Sequence, residues 1–285
     1  MTELRLATRR STLAMAQARQ VAEMLQAAHP STTVSLVGVT TTGDADRSSP
    51  VTTLTEVGAF VRAVQQAVLN GDADMAVHSC KDLPVSGPEG LDIFFPRRAA
   101  PWDVLCGSTL DGLPEGARVG TGSPRRAEQL RQIRPDLDVA GIRGNVETRL
   151  GKVSAGEFDA IVLAEAGLTR LGLDDEIHHR FDLEQMVPAP AQGALAVESA
   201  TGSTAASMLA EIDDSSVRET VEAERALLSL TGAGCRSALG ALGTANGSGL
   251  LLSGFVSDEA GARRASAEGS SPVEVATRLQ TELAL

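Results

Sequence analysis

The sequence predicts an α/β protein: two βα lobes facing each other around a cleft, followed by a small C-terminal α+β domain. Three observations carry this expectation. Short apolar segments that stop at polar residues alternate with segments whose apolar residues recur near a 3.6 period, over residues 4–80 and again over 117–170, as in parallel strands joined by helices. Two stretches, Ala99-Ala100-Pro101-Trp102 and the proline-stiffened Pro188-Ala189-Pro190-Ala191-Gln192-Gly193, read as crossings between the lobes. After residue 237, β-rich segments follow one another closely before a single closing helix. The expected domains are residues 1–97 with 192–212, residues 98–191, and residues 213–285. Two crossings imply a hinge.

Taken in order, Leu4 to Thr8 alternates like a strand, and Arg9-Arg10-Ser11 leads into a helix from about Leu13 to Ala28, where Leu13, Ala16 or Gln17, Val21, Met24 and Leu25 form the apolar stripe. Ser11 is its expected cap. Thr33 to Thr41 is rich in β-branched residues and reads as a strand. The long stretch Thr42 to Gly58 has the length of a lid. Phe60 to Leu69 reads as a helix, and Met75-Ala76-Val77 as a strand that runs into His78-Ser79-Cys80-Lys81-Asp82 and is stopped by Pro84. Ligands of parallel α/β sheets bind beyond the carboxyl ends of strands, so this polar run is expected to face a crevice.

Ile93 to Pro96 is the next expected strand. Ala117–Gly120, Leu137–Ile142 and Ala160–Leu163 then repeat the pattern, each followed by a turn and a helix. Ser123 or Thr121 is the expected cap before Pro124, with Arg125 and Arg126 flanking that helix start. Ala194 to Glu198 is expected to return to the first lobe. Thr204 to Leu230 is helical with a break at Asp213-Asp214-Ser215. Strands at Ala238–Thr244, Leu250–Val256 and Ala262–Ala267 and a helix from Pro272 to Ala284 complete the chain.

Composition narrows the partners. The 285 residues carry a net charge of −12, six Phe, one Trp and no Tyr, which argues against a nucleic-acid backbone and against base-stacking platforms. No run of 18 apolar residues and no signal-peptide pattern is seen, so a soluble cytoplasmic protein is expected. Three cysteines, Cys80, Cys106 and Cys235, lack metal-type spacing, and no metal site is expected. The basic residues are 23 arginines and two lysines, Lys81 and Lys152. Arg9, Arg125, Arg126, Arg143, Arg149 and Arg170 fall at, or one turn beyond, expected strand ends. Singly each reads as a solvated surface charge; together they suit a ligand with several carboxylates or phosphates. Cys235, in Thr231-Gly232-Ala233-Gly234-Cys235-Arg236, is open to two readings, a small buried hydrophobe or an accessible thiol used for attachment.

Assembled in order, Arg5-Leu6-Ala7-Thr8-Arg9-Arg10-Ser11, Val77-His78-Ser79-Cys80-Lys81-Asp82-Leu83-Pro84, Gly120-Thr121-Gly122-Ser123-Pro124-Arg125-Arg126, Arg143-Gly144-Asn145-Val146-Glu147-Thr148-Arg149, Ala166-Gly167-Leu168-Thr169-Arg170 and Gln192-Gly193-Ala194 resemble the porphobilinogen deaminase family over nearly the whole chain. The resemblance implies three domains, the first two like the lobes of periplasmic binding proteins. It implies a dipyrromethane cofactor joined by thioether to Cys235, and a monomer. It implies head-to-tail condensation of four porphobilinogens with loss of ammonia and hydrolytic release of hydroxymethylbilane. Asp82 corresponds to the catalytic carboxylate. Arg9, Ser11, Ser79, Lys81, Thr121, Ser123, Arg125, Arg126, Arg143, Arg149 and Arg170 correspond to the groups that bind cofactor and substrate carboxylates. Relatives usually carry Gly-Gly-Cys followed by a small or polar residue and proline, where this chain has Ala233-Gly234-Cys235-Arg236-Ser237-Ala238. Their lysines before Phe60 have no counterpart in Thr53 to Val57. From the residues alone, a two-lobed anion-binding module without chemistry is the competing function.

Overall fold

The structure is a computed structural model that describes residues 2–39, 55–232, 238–247 and 249–285, with the backbone alone considered for residues 55–60. Residues 42–54 of the expected lid, Thr42 to Gly58, and the loop that holds Cys235 lie outside the described residues. The chain divides into two compact units, residues 1–98 with 194–218 and residues 99–193 with 219–285.

In the first unit, β1 (Thr2–Arg9), α1 (Thr12–Ala28), β2 (Thr32–Val39), α2 (Thr55–Leu69) and β3 (Met75–Ser79) follow one another as the sequence pattern requires. The helix α2 starts five residues before the expected Phe60, so part of the stretch assigned to a lid is helical. A three-residue 3-10 turn, Cys80–Asp82, ends this run, and β4 (Leu91–Phe94) comes next. Strand β10 (Leu195–Ala200) joins the same sheet, whose order is β2-β1-β3-β10-β4. β1, β2 and β3 are mutually parallel, but β10 runs antiparallel to both β3 and β4, so the sheet is mixed where the pattern predicted parallel strands.

Alternation decides the two faces. Leu4, Leu6, Met75, Val77, Leu195 and Val197 pack under α1 and the helix α6 (Thr204–Ala210). Ala7, Ala76 and Ala73 pack on the other face with Val64 and Val68 of α2. Small residues on that second face let α2 lie close to the strands.

The second unit repeats the arrangement. β5 (Asp103–Cys106), β6 (Arg118–Gly120), α3 (Pro124–Ile133), β7 (Asp138–Ala140), α4 (Val146–Ser154), β8 (Ala160–Ala164), α5 (Glu165–Arg170) and β9 (His179–Arg180) give a sheet of order β7-β6-β8-β5-β9. As in the first sheet, three parallel strands adjoin an antiparallel one, here β5 against β8. The sequence pattern does not reveal β5 or β9. A third sheet, β11 (Ala238–Asn246), β12 (Gly249–Asp258) and β13 (Gly261–Gly269), is an antiparallel meander. Leu239, Leu252 and Ala267 pack with Leu227 of α7 (Ser215–Leu230) and with Val275 and Leu279 of α8 (Pro272–Glu282). It closes the chain as the expected α+β element.

The stretch between β9 and β10 turns sharply at Gly193, whose φ of +87° is in the region that favours glycine. A Cβ there would stand 2.4 Å from the carbonyl oxygen of Ala99. Both restraints are backbone, which has little freedom to yield. Gly193→Ala is therefore expected to lose about 2–3 kcal/mol of stability, read as a lowered urea midpoint. A variant melting with the parent would contradict this account of the turn.

Candidate active site

In the first unit the sequence converges on the carboxyl ends of β1 and β3. Both strands are buried up to their last residues, because Leu6, Ala7, Met75, Ala76 and Val77 fill the two cores. Beyond β3, the 3-10 turn closes with Leu83 N–H donating to the Cys80 carbonyl at 3.0 Å, and Cys80 N–H donates to the Ala194 carbonyl at 3.0 Å. The turn thus buries Cys80 and leaves Asp82 exposed. On the β1 side Ser11 caps α1, its hydroxyl accepting from Ala14 N–H at 3.3 Å. The first turn of α1 holds no acidic residue, so its positive end faces outward uncompensated.

These elements line a cavity of about 270 Å³ whose polar walls include Arg9, Ser11, Gln17, His78, Ser79 and Asp82. Gln17 Nε2 donates to Ser79 Oγ at 2.8 Å, tying the helix to the strand end. Four residues expected at a site, Arg9, Ser11, Ser79 and Asp82, are thus brought together. Lys81 is half-buried on the same turn but is not part of the cavity wall. His78 belongs to the polar run expected to face a crevice, and Gln17 is an addition. The signal for Gln17 was present, since a buried amide occupies an apolar position of the α1 stripe.

In the second unit, Thr121 is buried, and its Oγ1 accepts from Ser123 N–H at 3.2 Å. Ser123 caps α3, its Oγ accepting from Arg126 N–H at 3.5 Å, with Pro124 in the first turn. The two following arginines are not solvent-facing. Arg125 and Arg126 are 3% and 7% exposed and close on Asp103, the fully buried first residue of β5. Arg125 Nη1 and Arg126 Nη2 each lie 2.7 Å from the Asp103 carboxylate, and Gln192 Nε2 donates to it at 3.0 Å. Arg125 also donates to the Val187 carbonyl at 2.7 Å, and Arg126 to the Val162 carbonyl at 2.9 Å. Burial opposes ionisation of Asp103, but attraction from Arg125 and Arg126 overcomes it and holds the carboxyl far below the usual range. The sequence pattern does not single out Asp103.

Arg149, in the first turn of α4, is half-buried and has no carboxylate against it among the described residues; its Nε donates to the Asn145 carbonyl at 3.3 Å. Burial, and then the charge of Arg126, depress the guanidinium to about 10. Two arginines on one carboxylate leave a positive charge over, and Arg149 adds a second. An anion is what this cluster lacks. Burial likewise lowers Arg170, the last residue of α5, to about 10, and its Nη2 donates to the Gly193 carbonyl at 2.8 Å. Arg143 is exposed in the turn before α4. Cys106 is buried, with its thiol pushed up to about 12 by burial and by Glu176, which makes it inert. Among the described residues no group of three or more His, Cys, Asp or Glu could hold a metal ion, and no helix is long and apolar enough to cross a membrane.

Residues 4–208 match the family model described as porphobilinogen deaminase, dipyromethane cofactor binding domain. The porphobilinogen deaminase of Acidothermus cellulolyticus is 48% identical over 267 residues, covering 90% of this chain and 80% of that protein. That of Roseiflexus sp. (strain RS-1) is 44% identical over 286 residues, covering 97% and 94%. Among solved structures, a TRAP periplasmic solute binding protein from Desulfovibrio salexigens aligns with TM-score 0.42 and 12% identity over 74% of this chain and 72% of that one.

Proposed function

The chain belongs to the porphobilinogen deaminase family, and from that premise we propose which of its residues carry the reaction. Porphobilinogen deaminase is hydroxymethylbilane synthase, a transferase of tetrapyrrole biosynthesis that works with a dipyrromethane cofactor. The observation that carries the assignment is the cavity at the ends of β1 and β3, where Asp82 shares walls with Arg9, Ser11 and Ser79.

Every porphobilinogen brings an acetate and a propionate. In the first unit Arg9, Ser11 and the positive end of α1 bind such carboxylates, and Ser79, fixed by Gln17, adds a hydroxyl. Asp82 is the catalytic carboxylate. It stabilises the cation left when ammonia departs, and it accepts the proton released when the new carbon–carbon bond is made. Its exposure on a short, hydrogen-bonded turn suits a group that must meet successive substrates.

The residues of the second unit fit a group with four carboxylates, because Arg126 and Arg149 form a cationic cluster with more positive charge than Asp103 cancels. When attached through a thioether to Cys235, the dipyrromethane supplies the pyrrole terminus onto which the substrates are joined. Arg126, Arg143, Arg149 and Arg170 neutralise its carboxylates and those of the growing chain, with Thr121 and Ser123 as hydrogen-bonding neighbours, and Lys81 adds a cation to the first unit for substrate carboxylates. Arg125, committed to Asp103 and Val187, acts at one remove as a positioning residue for Arg126. In this reading residues 1–97 with 192–212, residues 98–191 and residues 213–285 are three domains, the last bearing the attachment cysteine. The protein acts as a cytoplasmic monomer, and its charge of −12 disfavours nucleic acid.

The test is the denatured intact mass of the purified protein beside Cys235→Ser, before and after brief exposure to porphobilinogen. The expected result is an excess of two linked pyrrole units, absent from the variant, growing in single-pyrrole steps. A bare-chain mass that persists after reconstitution with porphobilinogen or hydroxymethylbilane overturns the assignment.

A further inference from the structure

One buried carboxylate of the second unit has no part in the chemistry above. Glu224 lies in the middle of α7 and is fully buried. Each of its oxygens accepts from a backbone N–H of a different segment: Oε1 from Gly243 of β11 at 2.8 Å, and Oε2 from Ala191 in the stretch between β9 and β10. Gly243 permits the first approach, because a Cβ there would stand 2.9 Å from the carbonyl oxygen of Thr220, one turn before Glu224 on the same helix.

The second contact falls on a residue that needs holding. Ala191 is 1% exposed and has a φ of +61°, a left-handed conformation that is unfavourable for a residue with a Cβ. Such a conformation persists where the surroundings over-determine it. Here Gln192 N–H closes a turn on the Ala189 carbonyl at 2.9 Å, Ala241 N–H of β11 donates to the Pro188 carbonyl at 2.9 Å, and Glu224 takes the Ala191 N–H itself. The conformation of Ala191 decides where the next peptide units point. Two residues on, the Gly193 carbonyl accepts from Arg170 Nη2 at 2.8 Å. A guanidinium is a rigid planar fork, so a bond at one nitrogen sets the direction of the others.

We propose that Glu224 is a positioning residue for the cofactor, which through the backbone of Ala191–Gly193 aims Arg170 at a carboxylate of the dipyrromethane. The proposal rests on reading Arg170 as one of the groups that bind those carboxylates. A plain brace of α7 against β11, the elements on either side of Cys235 in the sequence, is the alternative role, and it would not depend on Arg170. Glutamine at 224 separates the two. It turns one acceptor into a donor, so that whichever way the amide lies an NH2 group meets one of the two backbone N–H groups.

The experiment uses the full chain in its apo form. Uptake of pyrrole mass from hydroxymethylbilane is followed by intact mass for the parent, Glu224→Gln, Arg170→Gln and the double variant, with thermal melts to fix the folded fraction of each. Per folded chain, Glu224→Gln is expected to gain pyrrole mass about tenfold more slowly than the parent. Arg170→Gln should be at least as slow. The double variant should be no slower than Arg170→Gln, since a residue that acts through Arg170 has nothing to act on once that arginine is gone. Parental uptake by Glu224→Gln, or losses that multiply in the double variant as a plain brace would give, overturns the proposal. If Glu224→Gln does not fold, Glu224→Asp, which keeps the charge but is one methylene too short to span both N–H groups, takes its place in the same cycle. Failure of the underlying reading looks different: Arg170→Gln itself takes up pyrroles at the parental rate, or the parent takes up none, and both readings fall.

Discussion

Asp82→Asn is expected to carry its dipyrromethane and yet to form hydroxymethylbilane at least about 100-fold more slowly. The amide keeps the size of the side chain and loses its charge and its basicity. Nothing in the fold depends on that charge, since the turn is closed by the Leu83 and Cys80 amides and Asp82 itself is exposed. Stability should therefore stay within about 0.5 kcal/mol of the parent. The loss should fall on kcat, with KM little changed, because the carboxylate-binding groups of the cavity remain. Steady-state rates, set beside intact mass to count loaded enzyme, separate this outcome from cofactor loss. An asparagine variant within threefold of the parent would remove Asp82 from the chemistry.

Asp103→Asn is expected to be the most destabilising single substitution considered. It leaves Arg125 and Arg126 buried with no opposing charge, a loss of about 3–5 kcal/mol. For a chain of this size that is a fall of roughly 6–20 °C in melting temperature. The pH dependence has a definite sign. The folded Asp103 ionises far below the ordinary aspartate range, so its contribution is complete above about pH 4 and fades as pH falls toward its folded value. Parent and variant should accordingly differ by a constant amount from pH 8 to about 4.5, and converge below. Melts that already coincide at pH 7 would show that the cluster is not held together by that carboxylate.

Much of the architecture was legible because strand ends betray themselves. Met75-Ala76-Val77 is buried on both faces and gives way to polar residues at the point where the sheet stops; Val119-Gly120 before Thr121 does the same. The serines at helix starts were readable from local chemistry, and Ser11 and Ser123 cap as side-chain acceptors. Strand β5 was not legible, since it opens with an aspartate directly after a proline-tryptophan pair. Its burial depends on arginines 22 and 23 residues away and on Gln192, 89 residues away. The same limit explains Arg125. A helix start at Pro124 could be read from the sequence, but whether the next side chain turns outward or inward depends on a partner that no local pattern announces. Glu198, which accepts from Gln65 133 residues away, is hidden in the same way.

The place of β10 in the first sheet has a consequence for biogenesis. Strand β3 is finished at Ser79, but its neighbour on one side is β10, which ends at Ala200. A ribosome adding about 5–20 residues per second needs roughly 6–24 s to cover that interval. Throughout it, the edges of β3 and β4 that await β10 are open to wrong pairing. All five strands of the second sheet lie between Asp103 and Arg180, so that sheet can close within the same interval. The segment made first is thus completed after the one that follows it, and the nascent chain is most exposed to chaperone capture, or to edge-to-edge aggregation, while residues 80–194 emerge.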